Sequence, residues 1–186
     1  MKTIRLNNSM YNRQNFLYTQ LLEQATVNIK DDFFRIYDGV EKLKIIKSPK
    51  QDRGVSAEWV GSFSYFQKRN PQWDERCQQR SSFLKELVES IPQDHLFGIW
   101  FSAILPNGVI QWHTDKYDAD QDYIRVHLPL IVPTGNIGIT VEEDTYKWEE
   151  GKVFCFNPFV PHTAWNYANS LRLNVNFNFS KQAFKW

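Results

Sequence analysis

The sequence predicts a mainly β protein, an antiparallel sandwich or jelly roll with helical cover, and three observations carry that prediction. Short stretches rich in β-branched and aromatic residues crowd the second half of the chain, turn residues separate several of them, and helical periodicity is confined to the first half. Helices first and strands after place the helices on the outside of a β-core.

In the first half, Leu17, Leu21, Leu22 and Ala25 recur at spacings that fit one face of a helix. A second helix is predicted over residues 70–91. Asn70 is a capping residue, Pro71 suits the first helical position, and Trp73, Cys77, Phe83, Leu84, Leu87, Val88 and Ile91 form an apolar stripe before Pro92 ends it. Between the two, residues 42–53 (KLKIIKSPKQDR) hold five basic side chains and a proline. They read as a solvated loop or edge strand, or as a contact for a phosphate or acidic partner.

The predicted strands are 96–104 (LFGIWFSAI), 124–132 (IRVHLPLIV), 136–141 (NIGITV), 153–156 (VFCF) and 171–179 (LRLNVNFNF), with turns at Pro106-Asn107-Gly108, Pro133-Thr134-Gly135 and Glu150-Gly151. In the last strand, Leu171, Leu173, Val175, Phe177 and Phe179 alternate with Arg172, Asn174, Asn176 and Asn178. In the second, Ile124, Val126, Leu128, Leu130 and Val132 share one face, and Arg125 and His127 share the other. Such a polar face lies against solvent or lines a polar pocket, and alternation fits both.

At 186 residues the chain makes one domain, with residues 1–95 as helical and mixed cover contributing to substrate selection and 96–186 as the core. A chain of this length buries roughly 70% of its unfolded surface, enough for a core without disulfides. A hydrophobic content of 42% is too high for disorder, and a mean hydropathy of −0.52 is too polar for a membrane protein. With 22 basic and 21 acidic side chains the net charge is +1, which offers no field to hold nucleic acid. Cys77 and Cys155 form no CxxC pair, and no apolar run of signal-peptide or membrane length is present, so a soluble cytoplasmic protein is expected.

Of the four histidines, His95, His113, His127 and His162, three lie in the β-rich half. His113 and Asp115 stand two apart in QWHTD, and residues i and i+2 of an extended segment project to the same side. With His162 of FVPHTAWN they make two imidazoles and a carboxylate, the set that holds non-haem Fe(II) with open coordination positions. These are also zinc-ligand types, and strand-end histidines bonded to neighbours fit the same pattern. Arg172, ten positions beyond His162 on the polar face of the last strand, tips the balance, because its planar fork matches a carboxylate in two parallel hydrogen bonds. Iron with open positions and a nearby arginine are what a chelating dicarboxylate such as 2-oxoglutarate requires.

The stretch from FGIWFSAILPNGVIQWHTD through YIRVHLPLIVP to PHTAWNYANSLRLNVNF, about residues 97–180, resembles the aspartyl/asparaginyl β-hydroxylase-like branch of the Fe(II)/2-oxoglutarate-dependent oxygenases. The resemblance implies a double-stranded β-helix, with His113, Asp115 and His162 as iron ligands. It implies Arg172 and Ser102 on the distal carboxylate of 2-oxoglutarate and Arg125 and His127 near its metal-binding end. The vertebrate aspartyl β-hydroxylase lacks the carboxylate ligand, so Asp115 makes this sequence similar to bacterial-type members and weakens transfer of the vertebrate substrate.

The implied activity is hydroxylation of an aliphatic carbon in an amino-acid side chain, free or within a peptide, using Fe(II), 2-oxoglutarate and O₂. A lipid-linked acyl chain is the alternative substrate, and a non-catalytic cupin-like metal- or ligand-binding protein is the alternative class. Arg125 has other readings, a substrate carboxylate or an ion pair with Asp118, Asp120 or Asp122. Trp112, Trp165 and Asn166 flank the ligands, and Asn176 shares the face of Arg172, which makes them candidate substrate contacts.

Overall fold

The computed structural model describes residues 9–38, 44–45, 59–66, 72–115 and 122–186. In chain order they form β1 (Met10–Tyr11), α1 (Thr19–Ile36), β2 (Lys44–Ile45), β3 (Trp59–Phe66), β4 (Gln72–Trp73), α2 (Glu75–Arg80), α3 (Phe83–Glu89), β5 (Leu96–Ile104) and β6 (Gly108–His113). There follow β7 (Tyr123–Ile131), β8 (Ile137–Val141), β9 (Asp144–Tyr146), β10 (Phe154–Phe156), β11 (His162–Asn166) and β12 (Arg172–Ser180). A large antiparallel sheet runs β1-β10-β7-β12-β5-β3-β2, with β4 beside β3, and a small one runs β6-β11-β8-β9.

The chain forms three layers. One face of the large sheet buries Ile99 and Phe101 of β5, Val126, Leu128 and Leu130 of β7, and Leu173, Val175, Phe177 and Phe179 of β12 in a single cluster with Ile29, Phe33 and Ile36 of α1 and Leu84 and Leu87 of α3. A smaller cluster of Ile104, Ile110, Ile139, Val141, Trp148, Phe154, Phe156 and Ala164 fills the space between the sheets. The alternation in β7 and β12 is thereby explained without any solvent face. Apolar residues pack under the helices, and Arg125, His127, Arg172, Asn174 and Asn176 turn into the sandwich and are themselves buried.

Three expectations need correction. Leu17 and Leu21 are 45% and 38% exposed, and the buried stripe of α1 is instead Leu22, Ala25, Ile29, Phe33 and Ile36. The helix expected over 70–91 is two short helices. Trp73 belongs to β4, and Asp74 caps α2 by accepting from the Arg76 and Cys77 N–H groups. The break at Ser81 is held by Asp32 of α1, whose buried carboxylate accepts from Ser81 Oγ (2.6 Å) and from the Leu84 N–H (2.8 Å), an N-cap supplied from another helix. Asn70 and Pro71 lie outside the described residues, as does most of the basic 42–53 segment. Finally, the amino-terminal half is not only cover, since β3 extends the large sheet beside β5. Its pairing shifts register between Phe63 and Tyr65, and an inserted residue erases the period-two pattern that would have marked it.

Candidate metal centre

His113 ends β6 and His162 begins β11, and the two are direct cross-strand partners. Ala164 pairs with Ile110, so two residues of β6, Gln111 and Trp112, stand opposite Thr163 alone. This bulge lets Ile110 and His113, three apart, both face inward, and Thr163 Oγ1 closes it by donating to Ile110 O at 2.8 Å. Asp115, just beyond the strand, is tied by its N–H to Pro158 O (2.9 Å), in the loop that leads into β11. Ligand atoms of His113, Asp115 and His162 consequently lie within 4.8 Å of one another.

The donor set suits a metal ion. His113 Nδ1 is 2.7 Å from Gln111 O and His162 Nδ1 is 2.9 Å from Val160 O. A carbonyl only accepts, so each Nδ1 carries a proton, and in the neutral ring this leaves the lone pair on Nε2, as a ligating imidazole requires. His113 Nε2 is 3.7 Å from Asp115 Oδ1, a separation that metal–ligand bonds of about 2.1 Å readily span. Burial, reinforced by His113, pushes His162 down to about 4 and so keeps it neutral. Burial pushes the Asp115 carboxyl up, but Arg125 with His162 and His113 outweighs it and holds the group below its usual range.

From this mouth a file of rings leads inward. His162 packs on Phe156 (5.2 Å between centroids), Phe156 on His127 (5.1 Å), and His127 near Trp148 (6.1 Å). The Arg172 guanidinium lies 4.4 Å from the Trp148 ring centroid. Arg172 is 1% exposed and donates from Nη1 to Ser102 O at 3.1 Å. With its amide oxygen turned toward the guanidinium, Asn174 also accepts from Nη1 at 3.1 Å. Arg172 Nε is unpartnered, and no carboxylate among the described residues pairs with this cation. Burial lowers its pKa to about 9. His127 Nδ1, Trp148 Nε1 and Asn176 Oδ1 are likewise buried without partners. Burial, then Arg125 and Arg172, drives His127 well below its ordinary value, so it is neutral. The Arg172 Nε–H and Trp148 Nε1–H donors left bare at this buried cation are what an anionic ligand would satisfy.

The other sequence candidates fall differently. Ser102, 2% exposed, sits on β5 opposite Asn174, beside Arg172. Arg125 does not pair with Asp122, which bonds Lys181, and Asp118 and Asp120 lie outside the described residues. Arg125 Nη2 instead meets Asp115 Oδ2 at 2.6 Å. Trp112 is 55% exposed beside His113. Trp165 is turned away from the site. It alternates with the inward His162, Ala164 and Asn166, and its Nε1 donates to Asn136 on the outer side. Asn166 spends its amide within the fold, its nitrogen donating to Ile104 O, Leu105 O and Ser170 O and its oxygen accepting from the Ala168 N–H. Sequence reasoning passed over Trp100, Tyr123 and Trp148. Trp100 shares the inward face of Ser102 two residues on, a legible signal, whereas Trp148 comes from a segment with no periodicity.

The profile of the aspartyl/asparaginyl β-hydroxylase family matches residues 23–182 of the chain. The ornithine lipid ester-linked acyl 2-hydroxylase of Rhizobium tropici is 32% identical over 96 residues, half of this chain and 32% of that enzyme. The mouse and human aspartyl/asparaginyl β-hydroxylases are 40% identical over 50 residues, 27% of this chain and 7% of theirs. The matched regions thus span a third or less of these relatives. Among solved structures, a Pseudomonas putida prolyl-4-hydroxylase superposes with a TM-score of 0.52 at 16% identity, covering 94% of this chain and 93% of its own. An oxidoreductase of the 2OG-Fe(II) oxygenase family from Burkholderia pseudomallei gives 0.52 at 11% identity, covering 87% and 80%. These two likenesses establish the fold, the jelly roll of that oxygenase class.

Proposed function

The chain belongs to the aspartyl/asparaginyl β-hydroxylase family, and on that premise we propose that it is an Fe(II)/2-oxoglutarate-dependent dioxygenase that hydroxylates an aliphatic carbon of an amino-acid side chain, free or within a peptide. The observation that carries the proposal is the convergence of His113, Asp115 and His162 within 4.8 Å, ahead of a buried arginine that has no carboxylate partner among the described residues. A ferrous ion with 2-oxoglutarate and O₂ supplies oxidative decarboxylation to succinate and CO₂ coupled to oxygen insertion into an unactivated C–H bond.

The protein's own residues bind, orient and exclude water. His113 and His162 offer Nε2 because their Nδ1–H groups are spent on backbone carbonyls. Asp115 supplies the one anionic ligand. Arg172 takes the distal carboxylate of the cosubstrate, with Nε and part of its remaining donor capacity free for it, and Trp148 under its face keeps the fork in place. Ser102 is placed beside that fork, and neutral His127 and Asn176 line the path between fork and metal. Phe154, Phe156 and Trp148 make the rest of the wall apolar, which strengthens each ionic contact inside it.

The decisive assay follows 2-oxoglutarate conversion to succinate under Fe(II) and ascorbate, with amino acids and short peptides screened for a mass gain of about 16 Da from one inserted oxygen. Asp115→Ala is expected to lower succinate formation at least 100-fold. Wild-type turnover in that variant would refute the ligand set, and no cosubstrate consumption by the wild type would leave a cupin-like binding protein or a zinc site. The Rhizobium relative favours a second substrate reading, a lipid-linked acyl chain, and the same screen with hydroxylation-competent lipids separates the two.

A further inference from the structure

Arg125 is surrounded on every side. Its Nε donates to Asn178 Oδ1 at 2.8 Å, and its Nη2 donates to Asp115 Oδ2 at 2.6 Å and reaches Tyr123 OH at 3.4 Å. Its carbon centre lies 4.2 Å from the Trp100 ring centroid and 5.6 Å from that of Tyr123. The residue is 9% exposed. Arg125, Tyr123 and Asn178 project from adjacent paired strands, β7 and β12, so the rigid large sheet holds this guanidinium.

Asp115 has less support of its own. It lies beyond the last residue of β6, outside the ladder, and among the described residues its backbone is tied by a hydrogen bond to Pro158. Without a side-chain partner, a carboxylate in that position could turn about its last bond and offer a cation either oxygen or both.

We infer that Arg125 is a positioning residue for the metal ligand Asp115 and not a contact for the cosubstrate. By binding Oδ2 it leaves Oδ1, the oxygen 3.7 Å from His113 Nε2, as the single ligand atom. One-oxygen ligation keeps a coordination position open that a two-oxygen mode would fill, and the chemistry needs three open positions. The arginine also fixes the carboxylate's orientation before any metal arrives, the role that hydrogen-bonded neighbours of ligands fill at metal centres. This inference rests on the metal reading above and assigns the anion-binding function to Arg172 alone.

The test titrates Co(II), as an air-stable stand-in for Fe(II), into wild type, Arg125→Gln, Arg125→Lys and Asn178→Ala, followed by the visible ligand-field absorption. Binding of 2-oxoglutarate to each Co(II)-loaded protein is measured by calorimetry. Arg125→Gln is expected to weaken Co(II) binding 10-fold or more, on the order of what loss of such neighbours costs, and to alter the absorption envelope. Arg125→Lys should recover part of the affinity, and Asn178→Ala should shift it in the same direction by a few-fold. Unchanged Co(II) affinity and spectrum in Arg125→Gln, with 2-oxoglutarate affinity reduced 10-fold, would overturn the assignment and return Arg125 to the cosubstrate. If Arg125→Gln does not fold, Asn178→Ala decides, and an unaltered spectrum there overturns the inference equally. Wild type that binds no Co(II) removes the metal reading itself and the inference with it.

Discussion

Arg125 and Arg172 lie on the inward faces of neighbouring strands, and their surroundings differ in kind. At the mouth, Arg125 has a carboxylate at 2.6 Å, an amide oxygen at 2.8 Å and two aromatic faces. Deeper, Arg172 is more fully buried, yet its polar and ring partners among the described residues are a backbone carbonyl, the Asn174 amide and the Trp148 ring. Taking a guanidinium out of water is costly, and a neutral carbonyl and a ring offset only part of it. The depressed pKa of Arg172, about 9 through burial, records that cost in the direction of losing the proton. A fold that keeps a cation in this state forgoes stability at that point, as functional sites commonly do. Of these two charges, the one with a carboxylate partner sits beside the proposed metal ligands, and the one without such a partner among the described residues is the cation that the proposed function assigns to the cosubstrate.

The largest expected effect comes from removing the unpaired cation. Arg172→Met keeps much of the volume and deletes the charge. It should lower 2-oxoglutarate affinity more than 100-fold while raising unfolding stability by about 1–3 kcal/mol, the sign seen when buried ionic groups give way to apolar ones. Calorimetry and urea denaturation check the two halves. A variant that loses stability instead would mean that Arg172 is as well compensated as Arg125, and the contrast would disappear.

The same contrast shows how far residue order alone could reach. Strict alternation in β12 set Arg172 on the face opposite Leu173 and Val175, because alternation survives wherever a strand is regular, but only the family resemblance turned that face toward a pocket instead of solvent. Arg125 was legible as inward but not in its partner. Asp115 reaches it from a strand end beyond a bulge, and a bulge breaks the counting on which such a reading depends. The same failure hid β3 behind its register shift. The helix over 70–91 was misread because its break is held by Asp32, some fifty residues upstream, and no local pattern reports a cap supplied through space. Trp165 and Asn166 were singled out for lying near His162 in sequence, but Trp165 falls on the opposite face of the strand, and Asn166, though inward, spends its amide on Ile104, Leu105, Ser170 and Ala168.

A second way to sharpen the comparison is pH. His162 titrates near 4 in the fold, through burial first, against about 6.5 when unfolded. His127 is depressed in the same direction. The unfolded chain therefore takes up protons first as pH falls, and the metal-free protein keeps this contribution fully above about 6.5 and loses it progressively toward 4. Each such histidine adds a slope of up to about 1.4 kcal/mol per pH unit in that window. Urea midpoints at pH 7, 6 and 5 should fall in order, and His127→Gln should flatten the slope by about one proton. A slope unchanged in that variant would place His127 outside the group of buried neutral residues around Arg172.

The smallest effects separate two asparagines that differ only in how their amides are satisfied. Asn166 makes four hydrogen bonds that join the end of β11 to residues 104–105 and 170, whereas Asn176 has its Oδ1 buried and bare between His127 and Trp100 in the ladder. Truncating Asn166 strands several backbone groups, so Asn166→Ala should cost about 2–3 kcal/mol of stability and leave 2-oxoglutarate affinity within two-fold. Asn176→Ala removes an amide whose oxygen the protein does not use, so its stability cost should stay below about 1 kcal/mol while cosubstrate affinity falls a few-fold. Denaturation and calorimetry on the pair give four numbers. If the two asparagines respond alike, an unsatisfied buried atom is no guide to the ligand site in this fold, and the reading of Arg172 loses its closest internal control.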